Sequence, residues 1–475
     1  MRAYKEVDEK RKIKMTNKEI NHSGYICLKR ENKHFAYDFK DGIVTIHMYE
    51  GIPELDNENV MLGRSFDNKQ YAFGSQLPLE IGENHLFPIN YNFQADWVIQ
   101  NFRAGSKFHQ AIFTFAELQY FCPSRDIAEI QSDDSILFKG SPVVKKEFNL
   151  TLFGKECKTS FIVAANGTMG YANTSMQTES KLCIEFEATG EVKFLEKLYE
   201  VVDSAFAFIC NRRNTDCVCM ELKGEYPDKR RDGKKVVDCT NSISSTMYFY
   251  NKYRESPEPN KIISKTFYVS AFLKHIDGLF ALIAKDAESE NTFEAATISI
   301  ASIHPSAKRR RLIDLQQSLQ ITGAFEFYVR KYLPCMIEEK THHTILKMVL
   351  DEFSRNKSVN KNARKLAKNM AKSVLREPAL EEKIIKAYTG YGEWKPLKAC
   401  VKEEWFNLHD VKEIAHEANI WRNELAHTKR SYVPSMKTIQ AVRLMEHMNY
   451  AIVLRTIGYE DEEICGLLEK VLEQF

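Results

Sequence analysis

A chain of 475 residues is long enough for two or three domains, each burying its own core. Hydrophobic residues make up 44% and charged residues 28%, as in an ordinary globular protein, and no apolar run approaches the roughly 20 residues that a membrane-crossing helix needs. Formal charge is only +2, but residues 301–475 carry 29 Lys and Arg against 23 Asp and Glu, leaving 38 against 42 for residues 1–300, so the basic surplus lies C-terminally. A polyanionic ligand would favour that surplus, and a plain solvated surface also allows it.

Residues 1–20 read as a leader, frayed or helical. It is charged throughout and lacks an apolar signal core, which predicts a cytoplasmic protein. Eleven cysteines, an odd number at scattered spacing, read as reduced thiols rather than a disulfide framework. Cys217 and Cys219, flanked by Cys210 and Cys239, form the one cluster. On a strand such an i, i+2 pair shares a face and could begin a zinc site, but no CxxC and no histidine at ligand spacing accompanies it. No metal or cofactor is expected.

Period-two alternation begins after residue 20. Phe35–Lys40 and Ile43–Met48 flank Asp41-Gly42, a hairpin signal because glycine accepts the positive φ of the turn. Further short segments follow at Ala111–Phe115, Phe148–Leu152, Ser160–Ala164 and Leu182–Phe186, with a turn expected at Asn166-Gly167. An antiparallel sandwich or barrel-like domain is the expectation for residues 21–255. His47 and His109 stand alone in strands and read as structural. Val192, Leu195, Leu198, Val202, Ala205 and Phe208 then make one helical stripe, followed by strands at Cys217–Leu222 and Thr246–Tyr250. Between those strands, 227–235 reads as a basic loop, either a solvated tip or an outlying phosphate contact. The polar, proline-bearing stretch 253–261 is the expected domain boundary.

Beyond it the pattern is helical to the end, giving an α+β, multidomain chain whose residues 262–475 form an all-α bundle. One helix is expected over Phe267–Ala284 and another over Leu312–Leu333. Glu326 stands on the second helix's stripe, four after Thr322 and three before Val329, so its carboxylate faces the core and needs a partner. The helix Asn362–Arg376 sets Ala363, Leu366, Ala367, Met370, Ala371 and Val374 on one side and Lys361, Arg364, Lys365, Lys368 and Lys372 on the other. It reads as a solvated basic face or as a nucleic-acid contact. Met436–Ile457 and Asp461–Leu472 close the bundle or supply a dimer contact.

Between these elements lies Trp421-Arg422-Asn423-Glu424-Leu425-Ala426-His427. Val411, Ile414, Ala415, Ala418, Leu425 and Ala426 predict a helix, and Arg422, four after Ala418 and three before Leu425, falls on its stripe. A charge aimed at a packed interface needs a partner, and Glu326 is the natural one. His427 is rotated by about 140° and raised about 7 Å, within reach of a long arginine and close to the helix end, where unpaired carbonyls favour a protonated imidazole. In the plainer alternative, Arg422 only pairs with a core carboxylate and His427 only caps the helix.

The Arg-Asn…His string resembles the RxxxxH motif of the HEPN superfamily, and over residues 260–475 the chain is similar to the ApeA-like HEPN subgroup found in bacterial anti-phage proteins. Gly24-Tyr25-Ile26 and Asp41-Gly42-Ile43 look only loosely like that subgroup's N-terminal domain. The resemblance implies an endoribonuclease active in antiviral defence by abortive infection, acting on RNA, with transfer RNA the family-level expectation. It implies a homodimer in which two motifs face one another, and an unknown phage-derived trigger. Arg422 and His427 would be catalytic, Asn423 would be a positioning residue and Glu326 would orient the arginine. Lys361, Arg364, Lys365, Lys368, Lys372, Lys429 and Arg430 would contact RNA. The alternative is a catalytically silent nucleotide- or RNA-binding module or scaffold. No Walker loop, GxGxxG after a strand, HExxH or paired-carboxylate signature competes with this reading.

Overall fold

The computed structural model describes residues 21–28, 33–40, 42–48, 60–74, 89–122, 127–130, 136–138, 141–169, 174–210, 215–232, 235–250, 269–288, 315–333, 341–374, 379–392, 394–402, 404, 410–426 and 435–472. The chain divides into two compact units, Met1–Tyr199 with Thr215–Ser256 and Glu200–Asn214 with Pro257–Phe475. The expected leader and the expected boundary at 253–261 lie outside the described residues.

The first unit opens with β1 (His22–Leu28), β2 (Lys33–Lys40), β3 (Ile43–Met48), β4 (Val60–Ser65), β5 (Gln70–Gly74), β6 (Ile89–Gln94), β7 (Trp97–Gln100) and β8 (Lys107–Phe113). It continues through α1 (Ala116–Phe121), β9 (Ala128–Ile130), β10 (Ile136–Phe138), β11 (Val143–Leu152), β12 (Lys155–Met169) and β13 (Thr174–Thr189). Helix α2 (Val192–Ile209), β14 (Cys219–Asp232) and β15 (Lys235–Phe249) follow, and α2 is shared between the two units. Thirteen strands form one antiparallel sheet in the order β11-β12-β13-β8-β14-β15-β7-β5-β4-β1-β2-β3-β6, and β9 pairs with β10 separately.

One end of that sheet closes on itself. β6 pairs with β3 and β7 pairs with β5, yet only Ala95 and Asp96 separate β6 from β7. The Ala95 amide donates to the Gly42 carbonyl at 2.8 Å and the Asp96 amide to the Gly74 carbonyl at 2.9 Å, so the chain crosses from one edge of the run to the other without losing its ladder. β1–β7 therefore make a small barrel. Its interior is Ile26, Tyr37, Phe39, Val44, Ile46, Met61, Tyr71, Phe73, Ala95 and Val98, the inward half of each alternating strand. Gly42 carries a φ of 81° at the β2–β3 turn, as the Asp-Gly signal predicts.

The remaining strands pack under α1 and the start of α2. Gln119 donates to the Ser180 carbonyl at 2.8 Å and accepts from the Ser180 amide at 2.9 Å, fixing α1 on β13. Phe194 of α2 meets Phe186 edge-to-face at 5.0 Å. Among the described residues strand β11 pairs only with β12, and its register shifts between Val144 and Lys146.

Two sequence expectations fail here. The Asn166-Gly167 dipeptide is not a turn: Asn166 pairs with Gln177 and Gly167 with Met176 inside a long hairpin, where cross-strand pairing on both sides overrides local turn preference. The basic stretch from Pro227 to Asp232 is not a loop but the outer half of β14, paired with β15 as far as Lys235. Beyond Glu225, β14 has no second neighbour among the described residues, the kind of edge position that tolerates proline.

The second unit contains a 3₁₀ turn (Val269–His275) and helices α3 (Ile276–Glu288), α4 (Leu315–Tyr332), α5 (Thr341–Arg355), α6 (Lys361–Val374), α7 (Leu380–Thr389), α8 (Val411–Ala426), α9 (Met436–Thr456) and α10 (Asp461–Leu472). Helix α9 is the centre of the bundle. Ala441, Val442, Leu444, Met445, Met448 and Tyr450–Leu454 are all buried, which takes neighbours on every side. Ser435 caps its first turn by accepting from the Thr438 amide at 3.1 Å.

The expected packed side of α6 is only half correct. Ala367 and Ala371 are buried, but Leu366 and Met370 stand 61% and 48% exposed.

Candidate functional site

The sequence singles out an arginine and a carboxylate on separate helices, and the fold brings them together. On α4, Phe325, Tyr328 and Val329 are buried, which leaves Glu326 at the rim of the packed face with 20% of its side chain exposed. On α8, Ile414, Ala415, Ala418 and Trp421 form the buried stripe. Arg422 is the next residue along, and its Nη2 lies 3.6 Å from Glu326 Oε2.

Helix α8 is fixed in this place by polar contacts along its length. His416 Nδ1 lies 2.9 Å from Glu381 Oε2 of α7, Ser435 donates to Glu417 at 3.3 Å, and Lys437 reaches Glu413 at 2.5 Å. The hydroxyl that caps α9 therefore also holds α8.

Sequence reasoning missed a third member. Lys383 of α7 is 1% exposed and places Nζ 3.3 Å from Glu326 Oε1. Its signal was available: Lys383 stands three after Leu380 and four before Ala387, on the stripe formed by Leu380, Ile384, Ala387 and Tyr388. Glu326 thus presents one oxygen to a buried ammonium and the other to Arg422. The carboxylate cannot swing towards the arginine without leaving Lys383, so Arg422 is held from one side by a fixed anion.

One expectation about the motif helix needs correction. Arg422 is not on the buried stripe; its side chain is 45% exposed. Trp421 is 4% exposed and takes the place assigned to the arginine. The stripe through Ile414 and Ala418 runs on to 421 rather than to 422, one helical step of about 100° away. The arginine is consequently open to solvent while still tethered.

Asn423 is exposed beside it, whereas His427, Lys429 and Arg430 lie outside the described residues. On α6, Lys361, Lys365 and Lys368 are exposed and Arg364 is half-buried, while the side chain of Lys372 is outside the described residues. Among the described residues no group of three or more His, Cys, Asp or Glu side chains could hold a metal ion. The strand register separates the cysteines: Cys239 pairs with Asp228, nine residues along β14 from Cys219, or roughly 30 Å. Of the two strand histidines, His47 pairs with Asp38 at 2.7 Å and His109 is exposed.

Comparison of the chain with family models, with curated proteins and with solved structures finds no match.

Proposed function

We propose that the chain is an endoribonuclease of the HEPN kind, cleaving RNA by attack of the ribose 2′-hydroxyl and serving antiviral defence by abortive infection. The observation that carries this reading is the state of Arg422: its guanidinium meets Glu326 at 3.6 Å while its side chain is 45% exposed. A guanidinium held so can grip two phosphoryl oxygens at once, where charge accumulates during phosphoryl transfer.

In the reaction, His427 accepts the 2′-hydroxyl proton as that oxygen bonds to phosphorus, and a proton is delivered to the departing 5′-oxygen as the P–O5′ bond breaks. The products are a 2′,3′-cyclic phosphate and a 5′-hydroxyl. Two proton transfers with one histidine per chain favour a homodimer that sets two motifs face to face, with Asn423 positioning the substrate. The exposed Lys361, Lys365 and Lys368 would steer the RNA backbone, transfer RNA being the expected substrate.

The second reading, a catalytically silent binding or scaffold module, draws on Lys383. Because that buried ammonium already partners Glu326, the trio can act purely as a clamp on three helices. Expressing the protein and sequencing the ends of the RNA it produces separates the two. New 5′-hydroxyl ends that disappear with His427→Ala support the nuclease, and an RNA pool without such ends rejects it.

A further inference from the structure

The outside of the barrel carries a pocket that the motif chemistry does not use. Strand register sets Tyr25 of β1, Arg64 of β4 and Gln70 of β5 directly side by side on the face opposite the core. In the next row His34 and Leu62 both pair with Cys27. Together with Phe66 and Phe102, these residues line an open pocket of about 650 Å³, within the usual range for small-molecule sites.

Its aromatic wall is exposed and yet built. Tyr25 is 54% and Phe66 67% exposed, the two rings meeting edge-to-face at 5.3 Å. Phe66 sits on a hydrogen-bonded turn: its amide donates to the Ser23 carbonyl at 3.0 Å, the Ser65 amide to the Lys69 carbonyl at 2.9 Å and the Asn68 amide to the Ser65 carbonyl at 2.9 Å. A fixed turn that holds an aromatic ring out in water is a feature that folding alone does not require. The charge beside it is uncommitted. Asp67 is met by Lys69 at 2.9 Å, whereas the Arg64 side chain makes no hydrogen bond or ion pair among the described residues.

We infer that this face binds a nucleotide, its base stacked on Tyr25 with Phe66 against the base's edge, and its phosphate on Arg64. The flat, sequence-tolerant faces of bases suit exposed rings, and a guanidinium one strand away supplies the anion contact. The Gln70 amide, next in the row, can donate to and accept from the base edge or the ribose. A free nucleotide and the end of a single strand share this chemistry.

The test is titration calorimetry on the full chain, in an Arg422→Ala background so that the arginine of the helical unit contributes nothing. The probes are AMP, adenosine and the pentanucleotide dA5, which lacks a 2′-hydroxyl and cannot be cleaved by the proposed reaction. Tyr25→Ala should weaken both AMP and adenosine about tenfold, whereas Arg64→Gln should weaken AMP about tenfold and leave adenosine unchanged. Both side chains are exposed, and an unchanged circular dichroism spectrum checks that each variant folds. AMP binding more tightly than dA5 assigns the face to free nucleotides, and the reverse order assigns it to strands. Absence of binding by both, or binding that neither variant alters, overturns the inference. Because the probes are read at the barrel alone, failure here leaves the nuclease reading standing.

Discussion

The helical unit contains two arginine clusters, and they are opposites. Arg455, at the end of α9, has a side chain 14% exposed, with Nε 3.0 Å and Nη2 2.7 Å from Asp461 Oδ1. Its Nη1 donates to the Lys395 carbonyl at 2.8 Å and its Nη2 to the Pro396 carbonyl at 3.2 Å, while the guanidinium lies 5.1 Å from the centre of the Trp394 ring. Each of the three guanidinium nitrogens has a protein acceptor. Among the described residues Arg422 has one carboxylate contact, at 3.6 Å, and nearly half its side chain is in water. A guanidinium with all donors engaged joins chain segments and can do little else. One with donors in reserve can meet a ligand, and its single internal contact then sets direction rather than stability.

That contrast gives the largest expected effect to the open cluster. Arg422→Ala and His427→Ala should each lower RNA cleavage by roughly 10²–10⁴-fold in single-turnover assays with labelled RNA, with melting temperature unchanged. Arg422→Lys should restore little, because a point charge cannot grip two oxygens. Wild-type cleavage should persist in EDTA. A folded His427→Ala protein with full activity would leave only the binding-module reading.

The closed cluster should behave in reverse. Arg455→Ala strands a partly buried Asp461 and should lower stability by about 3–5 kcal/mol, read from the urea midpoint, while the folded fraction still cleaves at the wild-type rate. If Arg455→Ala instead spared stability and abolished cleavage, the distinction between the two clusters would be reversed.

A third effect is set by pH. His447 lies in the buried centre of α9, its Nδ1–H directed to the Arg443 carbonyl at 2.9 Å, and burial pushes its imidazole from the ordinary 6.5 down to about 4. Between those values the unfolded chain holds a proton that the folded chain does not. Stability is therefore fully present above pH 6.5 and falls as pH drops towards 4, by about 3 kcal/mol in all. His447→Gln should flatten that part of a pH series of denaturation curves.

The smallest effect is the most discriminating. Glu326→Gln leaves the buried Lys383 facing a neutral amide and should cost about 1–3 kcal/mol, which Lys383→Met in the same chain should largely return. If Glu326 orients Arg422, cleavage stays low in the restored double variant. Recovery of both stability and rate would make the trio a clamp and nothing more.

Much of the α+β layout was legible because period-two and period-3.6 patterns report which side of an element is buried. The Asp41-Gly42 hairpin, α2 and α9 follow that rule directly. Glu326 and Arg422 could be paired from sequence because each is a charge beside an apolar stripe, and Lys383 answers to the same test. Which of Trp421 and Arg422 turns inward was not legible. The stripe from Ala418 continues equally well to either, and only the packing of α7 and α9 decides. Helices α5 and α7 have no counterpart among the sequence expectations. In α5, Ile345, Leu346, Met348 and Val349 stand on more than one side of the helix, and all four are exposed. Barrel closure could not be read either, because it depends on two residues, Ala95 and Asp96, that carry no distinctive composition.

β6 runs directly into β7, so one end of the described strand order leads back into the sheet, and β11 is the terminal strand at the other end. An unpaired strand is a template on which another chain can add its own and begin a fibril. Here the strand carries Lys145 and Lys146 at the place where its register slips, so an incoming strand would meet two ammonium groups and a kinked ladder. The terminal strand β11 thus carries its own features that discourage strand addition.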